Sequence, residues 1–72
     1  MDAKLEAMHI VVNETLEVIG RLSEYYETDE CIRWMRSPHH QLGGETATAM
    51  IATGRVMEVC KILDRLDADG YV

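Results

Sequence analysis

Seventy-two residues carry 13 acidic against 7 basic side chains, a net charge of −6, and 47% hydrophobic residues. That is one small domain, 1–72, with enough apolar mass to fold and too much to be a disordered tail. Basic residues scattered among so many acids argue against a phosphate-binding surface, so no direct nucleic-acid binding is expected; the acidity either suits a basic protein partner or simply maintains solubility.

From about Asp2 to Tyr26 the spacing predicts one long amphipathic helix. Leu5, Met8, Val12, Ile19, Leu22 and Tyr26 fall three or four residues apart, or at sums of these, and share a face. Thr15 interrupts the stripe and Leu16 beside it takes over, while Ile10, Val11 and Val18 widen the apolar surface. A helix this apolar must be covered on more than one side. The stripe Leu5, Met8, Val12, Ile19, Leu22 is therefore the candidate dimer interface, and a homo-oligomer is expected. One Trp, three Tyr, no Phe and five Met make an adaptable but thin core, which favours a partner subunit.

Thr28 offers a side-chain oxygen as the cap of a second helix, with Asp29 and Glu30 in its first turn. That helix carries Cys31, Ile32, Trp34 and Met35 and should end at Ser37, because Pro38 pushes the residue before it out of the helical region. His39 to Gly44 reads as a loop in which Gly43-Gly44 permits backbone angles other residues avoid. Thr46 caps a short third helix, Ala47 to Ala52. Thr53-Gly54 breaks it, and Thr53 can cap a fourth helix. There Val56, Val59, Cys60, Leu63 and Leu66 share one face, flanked by Met57 and Ile62, and Glu58, Lys61, Asp64, Arg65 and Asp67 lie opposite. Gly70 fits the position just past a helix end. The expected fold is all-α: a small four-helix domain with a long N-terminal helix and a C-terminal helix ending at the chain terminus.

Reactive chemistry is not expected. Cys31 and Cys60 sit in predicted helices and read as reduced, small hydrophobic residues, with one disulfide between them the alternative. His39-His40 with Cys31 falls short of a four-ligand zinc site, so neither metal nor cofactor is expected. His9 reads as an edge residue of the first helix. Gly43-Gly44 before Glu45-Thr46 could present N–H groups to an anion, but no P-loop lysine is present and Glu45 would oppose a phosphate; a tight turn is the better reading. The chain has little room for a substrate pocket, and an enzyme is not expected. No apolar run approaches the ~20 residues of a membrane span, and Met1-Asp2-Ala3-Lys4-Leu5-Glu6 does not resemble a signal peptide, so a cytoplasmic location is expected.

The ordered set over residues 34–72 resembles a known family. Trp34-Met35 on a helix, Pro38, the turn Leu42-Gly43-Gly44, the short helix reaching Met50-Ile51-Ala52-Thr53-Gly54, and Val59 through Leu63-Asp64-Arg65-Leu66-Asp67 with Gly70 are similar to the toxin-binding domain of the Xre/MbcA/ParS antitoxins, partners of RES-domain toxins. The resemblance implies a non-catalytic bacterial antitoxin that binds and blocks the active site of a RES-type, NAD-consuming toxin. By position, Arg65, Asp67, Asp69, Gly70, Tyr71 and Val72 would form the blocking surface. Tyr71 would be an amphipathic anchor, and Asp69 with the terminal carboxylate would face basic groups that otherwise hold a nucleotide phosphate. Trp34, Pro38, Leu42, Gly43 and Gly44 would be scaffold. The family commonly carries a helix-turn-helix segment ahead of this domain, for which this sequence has no room. It also often has Pro where Ala47 stands, and both suit a first helical position. The alternative reading is a small helical homodimeric interaction module with an unrelated protein partner.

Overall fold

The computed structural model describes residues 3–69, and among them are four α-helices. Helix α1, Ala3–Leu22, has no proline to interrupt it and buries Val18 and Leu22. Thr15, the polar break in its stripe, turns its hydroxyl back to Val11 O at 2.7 Å and is satisfied within the helix. The helix stops earlier than the Tyr26 its apolar pattern suggests. The Ser23 hydroxyl donates to Gly20 O at 2.6 Å, and the amides of Tyr25 and Tyr26 converge on Leu22 O, so the chain winds off in a turn.

Helix α2, Thr28–Arg36, is capped by Glu27 rather than Thr28. The Glu30 carboxylate accepts the Glu27 amide at 3.1 Å, the three-residue return of a capping box, which moves Thr28 inside the helix. Ser37 is extended, as a residue before proline prefers, and its hydroxyl closes back on Arg33 O at 2.6 Å. Pro38 then bridges to Thr46, and the His39 amide donates to Glu45 O at 3.0 Å. The loop between carries a single 3₁₀ turn, His40–Leu42. Gly43 and Gly44 have φ of 67° and 87°, with open space where a Cβ would stand, so backbone angle rather than crowding requires glycine there.

Thr46 caps α3, Ala47–Ala52, by accepting the Ala49 amide at 3.0 Å. Thr53 closes this helix instead of opening the next: its hydroxyl donates to Ala49 O and Met50 O. Helix α4, Val56–Asp69, follows.

Short as it is, α3 packs against each of the other three helices. Ala47, Met50 and Ile51 meet Val18 and Leu22 of α1, Cys31 and Met35 of α2, Leu42 of the loop, and Val59 and Leu63 of α4 in one core. This corrects the candidate dimer interface. Leu22 is fully buried in that core, and Ile19 is half-buried against it. At 3.6 residues per turn, positions 5 and 22 lie about 100° apart around the helix, so the spacing merged two faces into one. The exposed part of the stripe is Leu5, Met8 and Val12, continued by Leu16. Every residue from Ala3 to Ile10 is exposed, so the first half of α1 projects beyond the core.

Candidate partner-binding surface

The end of α1 is fastened to α4 by charge. Asp64 and Asp67, three residues apart, share a face of α4, and Arg21 reaches both at 2.8 Å. Tyr25, in the turn after α1, donates its hydroxyl to the other oxygen of Asp67. Asp64 and then Asp67 hold the Arg21 guanidinium further above its already high range. The Tyr25 hydroxyl and then Arg21 lower the Asp67 carboxyl, and the same bond raises Tyr25. The Arg21 side chain is a third exposed and both carboxylates more so, so screening limits the energy; what the clamp fixes is the end of α1 against α4.

The clamp sets a pH window. Asp67, lowered on folding, contributes stability above the ordinary carboxylate value of about 3.9, and loses it as pH falls through its lowered value. Tyr25, raised on folding, contributes below its ordinary value of about 10 and loses it as pH rises through its raised one. The melting temperature of wild type should therefore exceed that of Asp67→Asn near neutrality, and the gap should close toward the acid end; a gap independent of pH would contradict the clamp.

Of the six residues expected to meet a partner, Arg65 and Asp69 are exposed on α4. Asp67 is exposed as well, but engaged with Arg21 and Tyr25. Gly70, Tyr71 and Val72 lie outside the described residues. The scaffold set comes together around the α2–α3 connection. Leu42 is buried, Pro38 forms the bridge to Thr46, and the Trp34 and His39 rings stack with centroids 4.2 Å apart. His39 Nε2 donates to Trp34 O at 2.8 Å, and the Thr48 hydroxyl donates to Met35 O at 2.8 Å, tying α3 to the end of α2. His39 is thus a packing residue. The sequence offered no sign of this, because the ring contact needs the turn to bring it back over α2.

Reactive groups remain apart. Both cysteines are free; Cys31 is buried, and burial pushes its thiol up, away from the nucleophilic thiolate. Among the described residues no three His, Cys, Asp or Glu could hold a metal ion, and no helix is long and apolar enough to cross a membrane. What the surface does offer is uncovered apolar area: Leu5, Met8, Val12 and Leu16 are between 48% and 62% exposed. Contiguous apolar surface of this kind marks a place of contact.

A small helical frame with α4 clamped and apolar faces uncovered presents surface of the kind a protein partner covers. The family model of the antitoxin Xre/MbcA/ParS C-terminal toxin-binding domain matches residues 21–68, and the chain belongs to that family. No curated protein and no solved structure matches it. The matched segment starts at Arg21, earlier than Trp34, and so contains the whole clamp.

Proposed function

We propose that this chain neutralises a RES-type, NAD-consuming toxin by covering its active site with the end of α4 and the residues after it. The observation that carries the reading is the match over residues 21–68 to a toxin-binding domain. The physical setting is consistent. The C-terminal end of a helix carries partial negative charge, and Asp69 adds a full one, which suits a basic pocket built for a nucleotide phosphate. Arg65 stands exposed on the same helix. Tyr71 supplies a ring that can fill a cleft. The chain itself is non-catalytic and acts in the bacterial cytoplasm. Co-expression with a RES-domain toxin should yield a complex that co-purifies and restores growth; a toxin that stays free and lethal would refute the reading.

A second reading adds self-association through α1. Leu5, Met8, Val12 and Leu16 are exposed, and among the described residues His9, Asn13, Thr15 and Gly20 beside them on the helix surface carry no carboxylate. Two copies of an acidic chain can therefore approach along this strip without setting like charges together. Light scattering at micromolar concentration should give twice the chain mass for wild type and the single chain mass for Met8→Glu. A monomeric wild type would remove the dimer.

A further inference from the structure

A different side of α1 forms one wall of a groove. Glu14, Glu17 and Val18 face Val56, Met57 and Cys60 of α4 across a cavity of 460 Å³. Next to it, Ala7, Ile10 and Glu14 face Ile51, Ala52 and Gly54 across one of 350 Å³. Glu14 lines both, so the two lie end to end along α1 from Ala7 to Arg21, about 21 Å or four helical turns.

The lining is amphipathic. Val18 and Ile51 are its buried apolar part, and Ile10 in one cavity and Met57 in the other are 57% and 68% exposed. Glu14 and Glu17 supply negative charge along the α1 wall. Arg21, at the far end, is committed to Asp64 and Asp67. A second copy of this chain is a poor occupant, since it brings net −6 against two carboxylates. The complementary occupant presents an apolar ridge flanked by Lys or Arg, and a groove four turns long takes a helix.

We propose that the groove receives a basic amphipathic helix of the toxin, its apolar ridge on Ile10, Val56 and Met57 and its cations on Glu14 and Glu17. The inference rests on the antitoxin reading above and adds a contact distinct from the tail. Ile10, Glu14 and Glu17 lie outside the segment matched to the family, 21–68. The groove therefore gives this chain a means of selecting its own toxin beyond what the shared domain provides.

The test is calorimetric titration of the chain into a RES-domain toxin encoded beside it, with stopped-flow mixing for the association rate. Glu14→Lys, Glu17→Lys and Met57→Lys should each weaken binding about tenfold or more, the glutamate variants with a slower association rate. Glu45→Lys, an equal charge change on the exposed loop before α3, should bind as wild type does. Circular dichroism and the thermal midpoint verify that every variant folds. Groove variants that bind like wild type, or a control that weakens equally, would overturn the groove and leave the antitoxin reading standing. A wild-type chain with no affinity for the toxin would overturn both.

Discussion

A chain truncated before Asp69 should fold normally and protect no cell from the toxin. The core closes at Leu63, six residues before the cut, and the clamp at Asp64 and Asp67 is also retained. Far-UV circular dichroism and the thermal midpoint should therefore change little. Growth rescue should disappear, because binding energy concentrates in a few anchoring side chains and the cut removes Tyr71 together with the acidic end. A graded series sharpens the result. Tyr71→Ala alone should cost most of the affinity, as a central aromatic anchor does, and Asp69→Asn should cost less. Full protection by the truncated chain would show that neutralisation comes from elsewhere, with the groove beside α1 the first place to look.

Leu22→Ala is the second large effect, expected in stability rather than in association. Leu22 is fully buried at the point where α1 meets α2 and α3. Truncating such a leucine costs about 2–5 kcal/mol, from lost transfer free energy and the cavity left behind. Domains of this size often have little more than that in total, so the variant should be largely unfolded at physiological temperature. Chemical denaturation with the extrapolated unfolding free energy is the measurement. A loss below about 1 kcal/mol with a change in oligomeric mass would return Leu22 to an interface role.

Much of the fold was legible because its signals are local. Pro38 ended α2, Thr46 and the break at Thr53-Gly54 bounded α3 at Ala47–Ala52, and the apolar spacing of α4 located Val59 and Leu63 in the core. The misreadings have physical causes. Glu27 could replace Thr28 as cap because Glu30 was placed to answer it, a reciprocal bond that side-chain preference alone does not rank. Thr53 had carbonyls to satisfy behind it and a helix to open ahead of it, and its hydroxyl went backward. For the candidate site the sequence named positions on α4 and after it, but not how the α4 positions are held. Asp67 lies more than forty residues from both Arg21 and Tyr25, and no periodicity within a helix reveals a partner at that distance. The groove was missed for the same reason: Ile10 read as widening the apolar surface of α1 and Met57 as flanking that of α4, and only the packing of the helices brings Ile51 opposite the one and Val18 opposite the other.

The projecting first half of α1 has a thermodynamic consequence. A helical stretch that buries none of its residues leans mainly on its own ladder, and Ile10 and Val12 are weak helix formers. Its local opening costs little while Leu22, on the same helix, opens only when the whole domain does. One continuous helix thus has two stabilities. The order of its exposed half then measures occupancy: amides from Glu6 to Ile10 should exchange quickly in the isolated chain and slowly once a partner covers them.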